Sequence, residues 1–216
     1  KKGNLRHLLS LRGLPAKLLT ELLDDAERYL TRAGSLPARD GSLTGRTIGN
    51  LFFEPSTRTR ASFDLAGRRL GADVLNLDVN TSSRKKGESI LDTIYTLEAM
   101  HVDIMVVRDA GDGVPAYIAR HVKDHVSVLN PTQGLLDLLT IRQHKADFKN
   151  MIVSIVGDIQ HSRVARSASE ALQTMGIGEL RLISPPALAP DPERFPGARI
   201  IDNIADGLRN ADVVMA

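Results

Sequence analysis

Residues 47–78 read TIGNLFFEPSTRTRASFDLAGRRLGADVLNLD. Thr47–Phe53 is a short apolar run of strand length, Arg58–Leu70 carries helical spacing, and Asp73–Asp78 returns to a strand. Strand, helix and strand in so short a span form a βαβ unit, which makes the two strands parallel. The connecting loop, Phe53-Glu54-Pro55-Ser56-Thr57-Arg58-Thr59-Arg60, runs off a strand and opens a helix. The unbonded N–H groups of the helix's first turn, with the positive end of its dipole, therefore stand at a strand's carboxyl end and attract an anion. Ser56, Thr57 and Thr59 add hydroxyl donors, and Arg58 adds a guanidinium fork suited to phosphate oxygens. A helix cap and a solvated arginine would account for Ser56 and Thr57 alone. They do not account for hydroxyls and two arginines packed this densely behind a strand.

The same alternation extends in both directions. Before it, residues 14–33 read as an amphipathic helix with Pro15 in its first turn and Leu18, Leu19, Leu22, Leu23 and Ala26 at helical spacing. Residues 34–46 form a Gly-, Ser- and Pro-rich loop. After it come a helix over Glu88–Met100, a buried strand over Asp103–Val107, a helix over Pro115–His121, a strand over Val126–Leu129 and a helix over Thr132–His144. Past a polar linker the pattern restarts, with a strand at Ile152–Val156, a helix at Arg163–Thr174 and a strand at Leu180–Ser184. A Pro-rich loop, a short helix at 204–210 and a strand from Asp212 follow. The expectation is an α/β protein of two doubly wound parallel-sheet domains, 1–146 and 147–216, hinged near 145–151. The second has about three strands and ends on the apolar Ala211–Ala216 stretch, so it is expected to be incomplete. Parallel sheets bind ligands beyond the carboxyl ends of their strands. That directs attention to loops 54–58, 78–88, 108–113, 130–133 and 157–163.

Composition narrows the function classes. The 216 residues include no Cys, which excludes disulfides and thiolate metal sites and fits a reducing compartment. A formal net charge of +2 with no basic, aromatic-interleaved stripe argues against nucleic acid. No apolar run is long enough for a membrane span, and the N-terminus carries no signal-like segment, so a cytoplasmic setting is expected. There is no metal-ligand cluster, no Gly-x-Gly-x-x-Gly after any strand and no nucleophile with an adjacent base; neither metal nor cofactor is expected.

Four further stretches stand in the expected ligand loops. Asn80-Thr81-Ser82-Ser83-Arg84-Lys85-Lys86-Gly87-Glu88-Ser89 is a polar loop with three consecutive cations. As a lone charge run it reads as a solvated loop; beside a phosphate site it can close over a dianion. Arg108 ends the apolar run Ile104–Val107, where it either leaves the core for solvent or meets a ligand. Pro131-Thr132-Gln133-Gly134-Leu135-Leu136-Asp137 opens a helix. Gly157-Asp158-Ile159-Gln160-His161-Ser162-Arg163 joins a strand to a helix and places Arg163 at a helix N-terminus, a sensible carboxylate site.

Taken together these motifs resemble the aspartate and ornithine carbamoyltransferase family along essentially the whole chain, most densely from Phe52 to Glu88. Ser-Thr-Arg-Thr-Arg behind a Phe-Phe-Glu strand is similar to the family's carbamoyl phosphate signature, which implies that Ser56, Thr57, Arg58 and Thr59 hold the phosphate and carbonyl. Arg60 is expected to be structural and to pair with nearby carboxylates. The Lys86-Gly87-Glu88 loop resembles the aspartate branch, where its serine and lysine reach a neighbouring subunit's site; this implies Ser82, Lys86 and a homotrimer with shared active sites. Arg108 then contacts carbamoyl phosphate, Gln133 bonds the carbamoyl amide nitrogen, and Arg163 grips a carboxylate of L-aspartate. Glu54 is a candidate partner for Arg163.

The implied enzyme is an aspartate carbamoyltransferase, which forms N-carbamoyl-L-aspartate in pyrimidine biosynthesis. Some family members associate with a regulatory or dihydroorotase-like chain. One departure is plain: the family has His-Pro-x-Gln where this sequence has Asn130-Pro131-Thr132-Gln133. Either residues are missing at this junction, the favoured explanation, or the chain lacks the histidine and is impaired. Alternative readings are an ornithine-type carbamoyltransferase and a catalytically silent binding chain.

Overall fold

The computed structural model describes residues 5–32, 34–78, 89–109, 111, 113–145 and 147–216. By packing the chain divides into two compact units. One holds the described residues of Lys1–Leu9 and Thr31–Pro131, the other Ser10–Leu30 and Thr132–Ala216.

The first unit is a four-stranded, all-parallel sheet of order β2-β1-β3-β4. Its strands are β1 (Thr47–Phe52), β2 (Asp73–Asp78), β3 (Ile104–Arg108) and β4 (Ser127–Leu129). Helix α2 (Thr57–Arg69) joins β1 to β2, and α3 (Ile90–Ala99) and α4 (Val114–His121) flank β3. Both faces are covered, which is why the central strands read as unbroken apolar runs. Leu51, Phe53, Met105, Val107 and Val128 pack with Ile94, Leu97 and Ile118 on one face. Ile48, Phe52 and Val106 form the other. On that face α2 comes close through Gly67, where a Cβ would lie 2.8 Å from Val74 Cγ2 and 2.9 Å from Ile48 Cδ1. Helix α3 starts with a capping box, Ser89 accepting from Asp92 N–H while the Asp92 carboxylate accepts from Ser89 N–H.

The second unit also holds a four-stranded parallel sheet, of order β7-β6-β5-β8. Its strands are β5 (Ile152–Val156), β6 (Glu179–Ile183), β7 (Arg199–Ile201) and β8 (Val213–Met215). Its helices are α1 (Ala16–Glu27), α5 (Gln133–His144), α6 (Arg163–Thr174) and α7 (Ile204–Leu208). Helix α6 presents Ala165, Ala168, Ala171 and Leu172 to the core at helical spacing. Arg181, 8% exposed, is neutralised within the unit by a two-pronged bond to Glu179 (2.9 and 2.9 Å) and by the carbonyls of Gly207 and Arg209.

The α/β class and the parallel sheets agree with the sequence reading. Three details differ. The second sheet has a fourth strand, β7, three residues long and directly after the Pro-rich loop, too short to show a period. Pro15 precedes α1 as its N-cap rather than lying in its first turn. Helices α1 and α5 pack with the second unit, whereas the sequence pattern separates 1–146 from 147–216. The reason lies at Gly134, where a Cβ would come 2.5 Å from the Ser167 carbonyl oxygen. The missing side chain lets the first turn of α5 rest on the backbone of α6.

Candidate active site

Strand β1 delivers Phe52 and Phe53 into the core, and the chain turns at Glu54-Pro55 into α2. The first helical bond runs from Arg60 N–H to the Ser56 carbonyl at 3.1 Å. The N–H groups of Thr57, Arg58 and Thr59 precede it and have no helical acceptor. Ser56 occupies the N-cap, yet its hydroxyl makes no capping bond. Among the described residues, these four donors at one helix terminus have no acceptor, and the dipole stands behind them. Arg58 is exposed and has no ion-pair partner among the described residues.

Arg108 enters this cluster from the neighbouring strand. It is in register with Phe52 across the parallel β1–β3 pair, and its carbonyl accepts from Phe53 N–H at 2.8 Å. Its Nε donates to Glu54 Oε1 at 2.6 Å and its Nη1 donates to Thr59 Oγ1 at 2.9 Å. The guanidinium is thus held flat between the loop and the first turn of α2. Nη2 has no protein acceptor among the described residues and stays available to an anion. Glu54 Oε1 is the acceptor of the short Nε bond. Arg60 makes none of the expected ion pairs among the described residues; the nearby carboxylate Asp64 instead takes Arg68 and Asn76.

That carboxylate helps hold α2 to the sheet. Asn50, fully buried on β1, donates to Asn76 Oδ1 at 2.9 Å, and Asn76 Nδ2 donates to Asp64 Oδ1 at 2.8 Å. The Arg68 and Asn76 hydrogen bonds keep the Asp64 carboxyl below the usual carboxylate range. A polar chain thus runs from strand to strand to helix and fixes the helix whose N-terminus carries Ser56–Thr59.

The second unit holds the remaining described candidates. Gln133 is the first residue of α5; its Nε2 donates to Asp137 Oδ1 at 3.1 Å. Asp137 closes the motif quoted from the sequence but carries no role there, although a Gln–Asp pair four residues apart on a helix is a legible signal. Burial pushes its carboxyl above the usual range, outweighing the Gln133 bond, and its Oδ2 is enclosed with no partner among the described residues. Arg163 is exposed at the first position of α6, one turn before the Ser167 that Gly134 packs against. Ser162 caps this helix, accepting from Ala165 N–H at 3.0 Å. The exposed His161 leans on Asp158, Nδ1 to Oδ1 at 2.9 Å.

At the departure from the motif, Asn130 is engaged in the first unit. Its N–H donates to the Leu8 carbonyl at 2.8 Å and its Nδ2 to the Leu9 carbonyl at 3.0 Å. Three residues, 130–132, join β4 to α5. Ser82 and Lys86 lie outside the described residues. Among the described residues there is no group of three His, Cys, Asp or Glu side chains able to hold a metal, and no helix is long and apolar enough to cross a membrane.

The family model described as the aspartate/ornithine carbamoyltransferase carbamoyl-P binding domain matches residues 6–143. Among solved structures, the catalytic subunit of M. jannaschii aspartate transcarbamoylase is 28% identical, with a TM-score of 0.82 over 97% of this chain and 72% of that one. Ornithine carbamoyltransferase from Thermus thermophilus is 27% identical, with a TM-score of 0.84 over 98% of this chain and 74% of its own. Aspartate transcarbamoylase from Trypanosoma cruzi, solved with carbamoyl phosphate and aspartate, is 26% identical and scores 0.81 over 97% and 71%.

Proposed function

Because the chain belongs to the aspartate/ornithine carbamoyltransferase family, we propose that it transfers the carbamoyl group of carbamoyl phosphate to the α-amino group of L-aspartate. The observation that best supports the carbamoyl phosphate half is Arg108, clamped between Glu54 and Thr59 beside the uncommitted N-terminus of α2. The aspartate half rests on Arg163 at the start of α6 and on Lys86-Gly87-Glu88. An ornithine-type enzyme is the neighbouring alternative.

The amine nitrogen attacks the carbonyl carbon and gives a tetrahedral intermediate. The bond from that carbon to the bridging oxygen then breaks, and phosphate leaves with the amine proton. Thr59 and Arg108 stabilise the developing oxyanion. Ser56, Thr57, Arg58 and Lys86 hold the phosphate, with Ser82 and Lys86 supplied by a neighbouring subunit of a homotrimer. Gln133 takes the carbamoyl amide. Catalysis on this reading is positioning and charge stabilisation, with no covalent intermediate. The functional division stays at 1–146 for carbamoyl phosphate and 147–216 for the amino acid. A cytoplasmic setting, and a regulatory or dihydroorotase-like partner, belong to the same proposal.

The test is product formation with aspartate and ornithine in parallel, on the purified chain and on Arg58→Ala. Turnover with aspartate is expected, falling roughly 100- to 1,000-fold in the variant with unfolding unchanged. Citrulline formation instead would move the assignment to the ornithine branch. Near-normal turnover of Arg58→Ala would remove the assigned site.

A second reading is favoured by Asn130, which stands at the motif's histidine position and spends its side chain on Leu9. A chain without that donor binds carbamoyl phosphate and turns it over slowly or not at all. Binding by calorimetry without product would select it.

A further inference from the structure

Stability does not account for Asp137. Its Oδ2 is enclosed without a hydrogen-bond partner among the described residues, and a carboxylate oxygen left so is a net cost to the fold. The residue does settle one question of geometry. An ionised carboxylate only accepts, so the amide that meets Asp137 Oδ1 at 3.1 Å must turn its Nε2 inward. The opposite corner of the planar amide, Oε1, then faces away from Asp137. Gln133 is exposed at the first position of α5, so the atom it offers to a ligand is an acceptor.

We propose that Asp137 is a positioning residue. It locks the Gln133 amide with Oε1 outward, and thereby makes the site select an N–H donor, the amide of the carbamoyl group, over a methyl group or an acceptor in the same place. The inference rests on the carbamoyl phosphate reading above. Without the carboxylate, the terminal amide torsion is broad and roughly two-fold. Nε2 and Oε1 then exchange places, and the preference for a donor is diluted.

Acetyl phosphate carries a methyl group where carbamoyl phosphate carries its amide, so the ratio of the two dissociation constants reads the orientation of Gln133 directly. Calorimetry with both ligands on the full chain compares wild type, Asp137→Leu, and the double variant Gln133→Glu with Asp137→Asn. In the double variant the side chain at 133 is a carboxylate, which is an acceptor whichever way it turns. Asp137→Leu is expected to lower the preference for carbamoyl phosphate roughly 3- to 10-fold, the span of one hydrogen bond. Its urea midpoint should equal or exceed that of wild type. The double variant is expected to keep the preference, although the negative charge now standing at position 133 weakens both ligands. An unchanged ratio in Asp137→Leu overturns the proposal. So does a lowered urea midpoint in that variant, which would mark a structural role, or an equal loss of preference in the double variant. Failure of wild type to bind carbamoyl phosphate refutes the underlying reading, and this inference with it.

Discussion

Replacing Arg108 by alanine perturbs stability and chemistry at once, and the geometry sets the size of each effect. Its ion pair with Glu54 is short, 2.6 Å, and shielded: the Glu54 side chain is 15% exposed and that of Arg108 30%. Fully exposed pairs contribute about 0–1 kcal/mol and breaking a buried one costs about 3–5 kcal/mol, so this pair falls near 2 kcal/mol. Arg108→Ala should therefore destabilise the first unit by about 2 kcal/mol, because Glu54 loses a short, charge-assisted hydrogen bond. Glu54→Ala should cost less, about 1 kcal/mol, since Arg108 reaches water more readily. The double variant should fall short of the sum, with a coupling energy of about 1–2 kcal/mol. The chain has no Trp, so urea unfolding is best followed by far-ultraviolet circular dichroism. Turnover is expected to fall roughly 100- to 1,000-fold in Arg108→Ala through the lost oxyanion donor. Additivity within about 0.5 kcal/mol would show that the pair is a surface contact. Near-normal turnover would show that Arg108 does not face the carbonyl.

Two glycines should rank by what an added methyl would strike. Gly134→Ala drives a Cβ to 2.5 Å from the Ser167 carbonyl oxygen, backbone that cannot rotate away, whereas Gly67→Ala meets the side chains of Val74 and Ile48. Overpacking of about 1–3 kcal/mol, less about 1 kcal/mol gained in helix propensity, makes Gly134→Ala clearly destabilising and Gly67→Ala nearly neutral in urea melts; the reverse order would discredit the packing argument. In acid, two carboxylates of the second unit act oppositely. Asp212, held low by Lys145 and by Ile152 N–H, stabilises above the ordinary value of 3.8, and that support disappears as pH falls through its lower folded value. Asp137, held high by burial, instead makes stability fall as pH rises from 3.8 through its folded value. Asp212→Asn should flatten the acid limb of a stability–pH curve, while Asp137→Asn should gain stability at neutral pH and lose that advantage below 3.8. Parallel shifts of both variants would contradict the assignment.

The alternation of strand and helix was legible because a sheet covered on both faces demands unbroken apolar strands, and Thr47–Phe52 and Ile104–Arg108 display them. The strand-to-helix turn that carries the candidate site Ser56–Thr59 was legible for a related reason, since hydroxyls and a guanidinium at a strand's end and a helix's start suit an anion. Arg108 could be located but not partnered: its bonds to Glu54 and Thr59 depend on β1 and β3 lying side by side, which sequence spacing does not encode. Strand β7 was missed because three residues show no period, and the allegiance of α5 because it turns on one backbone contact between Gly134 and Ser167. The resemblance gave Arg60 to nearby carboxylates, and the bonds from Arg68 and Asn76 occupy Asp64 instead.

The treatment of buried charge separates structural from functional groups in this chain. Arg181 has almost no exposure, and the fold meets it with a bidentate carboxylate and two carbonyls. Arg142 is ion-paired with Asp24 and Glu27, although its buried Nε and Nη2 make no hydrogen bond among the described residues. Asp137 is the one carboxylate with an enclosed, unpartnered oxygen among the described residues, and it sits one turn from Gln133 on the same helix. An apolar side chain at this position would avoid the cost of the enclosed oxygen. Sequences depart from local consistency chiefly where function requires it. On the proposed reading, Asp137 stands beside the residue whose amide meets the carbamoyl group, and that placement favours selection on ligand recognition over selection on stability as the account of the carboxylate.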